Sequence, residues 1–365
     1  MKNLAIIGAS YLQLPLIEKA KEMGYTTHVF AWAANDVGER AADYFYPVSI
    51  VEKDEILQKC RGIGIDGICS IASDLAAVTV NYVAASLGLP GNSMECTRRS
   101  TNKHLMRETF RENGDPSPQS KEVDLQTDLA RLNLQYPVIV KPTDRSGSRG
   151  IFKLDSPENL KEAVQAALRE SFEKKALIEE FAEGEEFSVE GISFHGEHHI
   201  LAFTRKFTTG APHFVETGHR EPAGLDPKTE KSVRNVVAHA LDSLGITDSA
   251  SHSEVKIDDQ GKIRIIEIGG RMGGDCIGSH LVRYSTGIDY IRAVIQVACG
   301  EEPDLTQVSE PRAVEVRFIL TEKDVEQMEQ ARKECRILEE VAFFPENIGK
   351  TSDSSNRAGC YIIRI

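Results

Sequence analysis

Apolar runs alternate with amphipathic stretches over the first ninety residues. Runs at residues 3–8 and 26–32 flank a helical pattern that includes Leu16 and Ala20. The alternation continues with a predicted helix at 53–60, a strand at 67–71 and a helix at 75–87. Strands that alternate with helices favour a parallel sheet. The pattern therefore predicts an open parallel α/β domain that ends near Gly91.

A predicted acidic hairpin at residues 252–271 is the most informative stretch of the second half. Two short strands flank a turn rich in Asp and Gly, which favour chain reversal. If Ile257 pairs with Lys262, Glu254 and Glu267 become diagonal neighbours on one face, roughly 7 to 8 Å apart at the backbone. The two carboxylates would then be close enough to share one ion.

Two such carboxylates repel each other unless a cation lies between them. A hard divalent cation such as Mg²⁺ takes oxygen ligands and keeps waters or phosphate oxygens in its shell, so it would relieve the repulsion. The alternative is a solvated hairpin with ordinary surface charges. Glu267 argues against that alternative because it lies in the apolar run 263–268, where an unpaired carboxylate is costly to bury. Arg271 follows and offers a forked donor for phosphate or carboxylate.

Two lysines precede the hairpin in positions that suit phosphate binding. Lys103 lies in the first turn of a predicted helix at 102–112, where a cation opposes the helix dipole unless an anion binds. Lys141 ends a β-branched strand at 137–142 and is followed by a small-residue loop at 144–150, whose N–H groups can approach phosphate oxygens. A solvated lysine and an exposed hairpin loop are the respective alternatives. The Walker sequence is absent, which disfavours a P-loop NTPase.

Two further segments carry candidate ligand contacts. A predicted strand at 176–180 leads into a hinge at 181–186, whose backbone could recognise an adenine edge while Glu186 accepts ribose hydroxyls. Glu216 and His219 bring an acid and a base close together in a loop that could close over substrate. An acidic linker and an exposed polar loop are the competing interpretations.

Composition narrows the class of protein. The chain of 365 residues is 41% hydrophobic and 27% charged, which is ordinary for a globular protein of two or three packed units. A net charge of −13 disfavours nucleic-acid and anionic-membrane partners. The N-terminal segment lacks a secretory signal pattern, no apolar stretch has transmembrane length, and the seven cysteines are scattered. We therefore expect reduced thiols and a cytoplasmic location.

The first glycine turn raises a dinucleotide-binding hypothesis. Gly8 leaves the first strand, but the sequence after it does not complete Gly-x-Gly-x-x-Gly. A structural or substrate-facing α/β domain is therefore favoured over a dehydrogenase module.

The order of these features resembles the ATP-grasp superfamily over nearly the whole chain. Lys103 and Lys141 come first, then the small-residue loop and the hinge, and finally Glu254 and Glu267. The resemblance implies an α/β ATP-grasp fold with an N-terminal open parallel α/β domain and a small C-terminal lobe. The implied units are 1–95, a core at 96–310 that divides into 96–175 and 176–310, and the lobe at 311–365.

The resemblance also implies a role for each candidate residue. Lys103 and Lys141 would contact ATP phosphates, and the closing loop would consist of Arg145, Ser146, Gly147, Ser148, Arg149 and Gly150. Adenine would be recognised by Glu179, Phe181, Ala182 and Ile266, and ribose by Glu186. Glu254 and Glu267 would bind Mg²⁺, with Mn²⁺ as a substitute. Lys141 and Arg271 would be catalytic, because Arg271 would stabilise the transferring phosphoryl group.

Within the superfamily the chain is similar to carboxylate-amine ligases, especially the L-amino-acid ligase branch. The resemblance implies that Glu216 binds the amine and that His219 and Arg271 contact the carboxylate substrate or the intermediate. It implies amide formation through an acyl phosphate, a small carboxylic acid and an amine as partners, and a homodimer. One departure is Gly269, where many relatives carry Asn. A metabolite carboxylase or formyl transferase and a non-catalytic ATP-binding module are the alternatives.

Overall fold

The computed structural model describes residues 2–145, 147, 149–210, 214–351 and 353–365. The N-terminal part forms a parallel four-stranded sheet in the order β3-β2-β1-β4. Its elements are β1 Asn3–Ile7, α1 Leu14–Glu22, β2 Thr26–Ala31, α2 Val37–Ala41, β3 Tyr44–Pro47, α3 Lys53–Ile63, β4 Gly67–Cys69 and α4 Asp74–Leu87. The predicted parallel α/β domain is confirmed.

Local signals set the ends of α4. The Ser73 hydroxyl accepts a hydrogen bond from the Ala76 N–H, which satisfies one of the free donors of the first turn. Gly88 ends the helix at φ 69°, a left-handed conformation that glycine adopts without steric cost. This capping places Asp74 at the helix start, beside the end of β4.

A second sheet has four strands in the order β5-β8-β6-β7, all antiparallel. The elements that lead into it or build it are α5 Met94–Thr101, α6 Lys103–Asn113, β5 Ser120–Val123, β6 Val138–Pro142, β7 Phe152–Leu154, α7 Leu160–Glu170 and β8 Ala176–Glu180. One apolar face of α7, including Val164 and Leu168, packs on this sheet. The strands β6 and β7, which flank the loop after Lys141, pair with each other.

The largest sheet has eight strands in the order β13-β12-β9-β10-β11-β14-β16-β15. Its strands are β9 Glu185–Phe194, β10 Glu197–Thr208, β11 Glu216–Glu221, β12 Ser249–Ile257, β13 Ile263–Gly269, β14 Val314–Ile319, β15 Ile337–Phe343 and β16 Gly359–Arg364. Its helices are α8 Pro227–Leu244, α9 Val282–Thr286, α10 Tyr290–Ala298 and α11 Glu322–Lys333. The strands of the predicted C-terminal lobe thus continue the core sheet through β11 and β14.

The acidic hairpin is confirmed, but its predicted register was wrong. Ile257 pairs with Ile263, and Glu254 lies directly opposite Glu267 instead of diagonal to it. The turn is one residue longer than predicted because the Asp258 carboxylate accepts the N–H groups of Gln260 and Lys262. A β-bulge then leaves Ile266 without an opposite residue. The longer turn and the bulge together shift the pairing by two positions, so both glutamates stay on one face.

None of the helices in the part of the chain that the structure describes is long and apolar enough to cross a membrane.

Candidate functional site

A cleft of about 180 Å³ opens between the antiparallel four-stranded sheet and the eight-stranded sheet. Most of the predicted site residues line it: Lys103, Lys141, Arg145, Gly147, Glu179, Phe181, Ala182, Glu186, Glu216, Glu254, Ile266, Glu267 and Arg271. The described residues Arg149, Gly150 and His219 are outside this lining. Ser146 and Ser148 fall outside the described residues.

The two hairpin carboxylates face each other across β12 and β13, and each contacts a lysine. Lys103 Nζ is 2.9 Å from Glu267 Oε1, and it also donates to the Arg145 carbonyl at 2.7 Å. Lys206 Nζ is 2.5 Å from Glu254 Oε1. Burial would raise the pKa of Glu254, but the Lys206 charge and the His252 hydrogen bond hold that pKa well below its usual range. Lys103 is therefore buried and paired with Glu267. Its position in the helix alone did not exclude a solvated lysine.

The donor set of this pair fits a hard divalent cation. Glu254 and Glu267 offer carboxylate oxygens, the ligands that Mg²⁺ prefers, and Mg²⁺ usually takes its remaining ligands from water and phosphate. Within the described ranges no group of three or more His, Cys, Asp or Glu side chains could hold a metal ion. Glu254 and Glu267 would therefore be two protein ligands of such a cation, and its other ligands would come from water or phosphate oxygens.

Packing explains why glycine occupies position 269. A Cβ at Gly269 would approach Asp74 Oδ1 to 3.1 Å and Arg271 Cζ to 3.3 Å, both tight contacts. Arg271 donates from Nε and Nη2 to the two Asp74 oxygens at 2.7 and 3.0 Å. A side chain at position 269 would require this ion pair to shift by a few tenths of an ångström. The ion pair, which the sequence did not indicate, ties the N-terminal domain to the cleft.

The predicted phosphate lysine of β6 belongs to a buried charge cluster. Lys141 contacts Glu179, whose other oxygen accepts from Arg107 Nε at 3.0 Å. Burial lowers the pKa of Lys141, although the Glu179 charge opposes the shift. Arg107 also donates to the Ile266 carbonyl at 2.7 Å, so α6 contacts the bulge of β13. Arg107 was not among the predicted site residues, although it lies one helical turn after Lys103, on the same face.

The hinge forms the end of the cleft that was predicted for adenine. The ammonium groups of Lys153 and Lys256 lie 4.6 and 4.9 Å from the centre of the Phe181 ring. Lys256 also donates to the Ala182 carbonyl at 3.2 Å. Lys256 is two residues after Glu254, and strand alternation puts both on one face. That spacing was the signal that could have identified it.

Glu216 and His219 lie in different environments: Glu216 is in the cleft and His219 is in the interior. Glu216 lines the cleft and accepts a hydrogen bond from the Ser354 hydroxyl. His219 is fully buried, its Nε2 is 3.6 Å from Asp275 Oδ2, and its ring meets Phe318 edge to face. Burial lowers the pKa of His219, although the nearby Asp275 carboxylate opposes the shift. His219 thus lies behind the cleft wall, and its substrate contact stays a prediction.

Comparisons with known proteins agree with this geometry. Residues 134–279 match the ATP-grasp domain family. Alanine–anticapsin ligase from Bacillus subtilis (strain 168) is 26% identical over 306 residues, which cover 74% of this chain and 64% of that protein. Carnosine synthase 1 from Homo sapiens is 25% identical over 344 residues, which cover 86% of this chain and 41% of that protein. The chain therefore spans less than two thirds of the length of both relatives.

Solved structures show the same fold. The crystal structure of L-amino acid ligase from Bacillus licheniformis matches the whole chain with a TM-score of 0.83 at 24% identity, and the match covers 93% of that structure. The chain is therefore similar to ATP-grasp proteins, and residues 134–279 carry the matched domain. Two of these relatives carry the names of a ligase and a synthase, which agrees with the branch that the sequence resembles.

Proposed function

We propose that the protein joins a small carboxylic acid, most simply an amino acid, to an amine at the expense of ATP, with release of ADP and phosphate. The observation that carries the proposal is the opposed pair Glu254 and Glu267 in a cleft that also presents Lys103, Lys141 and Arg271. Carboxylates for a metal and cations for phosphates are the two requirements of phosphoryl transfer. The names of the two relatives, a ligase and a synthase, support the reaction class, and the name of the first includes an amino acid, alanine.

The proposed reaction has two steps. A carboxylate oxygen of the acid attacks the γ-phosphorus of ATP, the bond to the bridging oxygen breaks, and ADP leaves. The nitrogen of the amine then attacks the carbonyl of the acyl phosphate, the carbon–oxygen bond to phosphate breaks, and the nitrogen loses a proton. Phosphate and an amide are the products. Exclusive release of AMP and pyrophosphate would contradict this sequence.

The residues of the cleft would have two kinds of role: some would stabilise charge, and others would bind and orient the substrates. Lys103 and Lys141 would hold the phosphates and stabilise the charge on the transferring group. Arg271, held by Asp74 in a fixed orientation, would bind the carboxylate that receives the phosphoryl group. Glu216 would bind the amine of the second substrate. Mg²⁺ bound by Glu254 and Glu267, or Mn²⁺ in its place, would neutralise phosphate charge.

Cleft closure would protect the acyl phosphate from water. Arg145, at the start of the loop after β6, lies with its guanidinium 4.5 Å from the centre of the Phe172 ring. Lys103 donates to the carbonyl of the same residue. These contacts support a role for this loop as the cover over the phosphates. Homodimer formation and a cytoplasmic location are further proposals that rest on the family resemblance.

A panel assay tests the function directly. Pairs of amino acids are incubated with Mg·ATP, ADP and phosphate are measured, and the products are identified by mass spectrometry. We expect ADP and phosphate in equal amounts together with a dipeptide or related amide. ADP formation that depends on bicarbonate or formate would favour the carboxylase or formyl transferase alternative. Tight ATP binding without ADP release across the panel would favour a non-catalytic module.

A further inference from the structure

A lysine that the sequence did not indicate lies at the centre of the cleft. Lys206, near the end of β10, has a side chain that is only 5% exposed, and its Nζ contacts three carboxylates. The distances to oxygens of Glu254, Glu186 and Glu216 are 2.5, 2.8 and 4.0 Å. One ammonium group is thus the ion-pair partner of three acidic side chains, which lie on three different strands.

The same three carboxylates have separate proposed tasks. Glu254 would bind the metal, Glu186 the ribose and Glu216 the amine. Each is at most 24% exposed, so each would be costly to leave charged without a partner. The ammonium group of Lys206 supplies that partner and keeps the three acidic groups together.

A divalent cation and Lys206 would share the Glu254 carboxylate. Glu254 Oε1 accepts from Lys206 Nζ, and a cation bound to that oxygen would lie within a few ångströms of the ammonium group. Two positive charges at such a distance repel strongly in a partly buried site. Lys103 stands in the same relation to Glu267, at 2.9 Å. The protein by itself thus satisfies its metal ligands with lysines.

We propose that Lys206 is a positioning residue that holds Glu186, Glu216 and Glu254 in place and opposes metal binding at Glu254 until a nucleotide brings its phosphates. The proposal rests on the Mg·ATP function proposed above. Nucleotide phosphates would offer the ammonium group a new anionic partner, which frees Glu254 for the metal. Metal binding without nucleotide is therefore weak in the native chain and stronger when the lysine charge is removed.

Binding of Mn²⁺ to the nucleotide-free protein tests this inference. Isothermal titration, or the loss of the free Mn²⁺ electron paramagnetic signal, gives the Kd for the native chain and for Lys206→Met. We expect the Kd of the variant to fall about tenfold or more. Lys206→Arg, which keeps the charge, should restore weak binding. Lys206→Gln replaces the methionine variant if thermal unfolding shows that the latter is not folded.

Lys256→Met is the matched control. This lysine lines the same cleft, but its Nζ donates to the Ala182 carbonyl at 3.2 Å. Its removal subtracts the same charge, and we expect less than a threefold change in the Mn²⁺ Kd. A Kd for Lys206→Met that equals or exceeds the native value, or an equal gain in Lys256→Met, overturns the inference.

Failure of the inference is separable from failure of the proposed function. Mn²⁺ binding is measured again with a non-hydrolysable ATP analogue, and ADP release is followed in the native chain. The native chain could bind Mn²⁺ tightly with the analogue and release ADP while Lys206→Met keeps the native Kd. That result would contradict only the role of Lys206. An absence of both in the native chain would contradict the proposed function itself.

Discussion

At the scale of single residues, the opposed carboxylates Glu254 and Glu267 are the two acids of the cleft that we propose as metal ligands. We expect Glu254→Gln and Glu267→Gln to lower Mg·ATP turnover at least about 100-fold, because loss of even an outer-shell partner of a metal costs about 10- to 100-fold. ADP release at saturating ATP measures the effect. Glu180→Gln is the control, since Glu180 lines the cleft from β8 and accepts from the Gln119 N–H.

The thermal unfolding temperature of each variant separates lost chemistry from lost folding. Each glutamine keeps the shape of the residue it replaces, and the midpoints should stay within a few degrees of the native value. Unchanged turnover in both hairpin variants would remove the metal role from this pair.

Single residues also show how far the sequence could predict the site. The cleft positions of Lys103 and Lys141 were predictable because each lies near the end of an element that the hydrophobic pattern identifies, and those of Glu254 and Glu267 because both lie in the strands of the predicted hairpin. Lys206 was not, because a lysine in an alternating strand is ordinarily solvent-exposed. The pairing of β10 with β9 and β11, and of β9 with β12, brings Lys206 to its carboxylates.

At the scale of elements, the contact between α4 and the end of β13 sets the orientation of Arg271. Both oxygens of Asp74 accept from the guanidinium, and the two side chains are only 16% and 15% exposed. We expect Asp74→Ala to lower kcat about tenfold or more through misplacement of Arg271. A double-mutant cycle with Arg271→Ala on kcat/KM should give a coupling energy of about 0.5 to 3 kcal/mol. Additive effects would show that the two residues act independently.

A buried acid connects β10, β11 and α9. Glu221 is fully buried and accepts from the hydroxyls of Thr204 and Ser285, each at 2.6 Å. Burial raises the pKa of Glu221 to about 8, although both hydrogen bonds oppose the shift. Between pH 5 and 8 the folded chain therefore keeps a proton that the unfolded chain releases. Stability is expected to fall as pH rises through this range, because each unit of pKa difference corresponds to about 1.4 kcal/mol.

Replacement of this acid isolates its contribution to stability. Glu221→Gln stays neutral at every pH, so the difference in free energy of unfolding between native and variant chains should change by several kcal/mol from pH 5 to 8. Urea unfolding at a series of pH values measures it, with exposed Glu183→Gln as the control. A difference that is constant with pH would show that Glu221 does not titrate in this range.

Elements also explain where the sequence was misleading. The hairpin register depended on a side chain, since the Asp258 carboxylate closes a longer turn than the Gly and Asp content alone indicates. The bulge at Ile266 then brings Glu267 back to the face of the sheet on which Glu254 lies, as predicted. Neither feature changes the hydrophobic alternation, so the common face of Glu254 and Glu267 was predictable and their opposition was not.

At the scale of the whole molecule, the C-terminal segment takes part in the site. The backbone of β14 pairs with β11, which continues the core sheet. Arg357 donates to both oxygens of Asp275, and Ser354 donates to Glu216. The hydrophobic pattern identified β14, but long-range pairing of this kind leaves no signal in the pattern of a single segment. The predicted boundary at residue 311 therefore falls within a continuous sheet.

Removal of residues 311–365 tests whether this segment folds as an independent unit. A chain that ends at residue 310 would expose the edge of β11 and the apolar side chains that pack on Val316 and Ile362. Exposed apolar edges promote aggregation, so we expect the shortened chain to aggregate on size-exclusion chromatography and to lose cooperative thermal unfolding. Co-expression of the missing segment as a separate chain should restore a soluble complex, because the same strand pairing can form between chains. A shortened chain that stays monomeric and unfolds cooperatively would show instead that the core is stable without these strands.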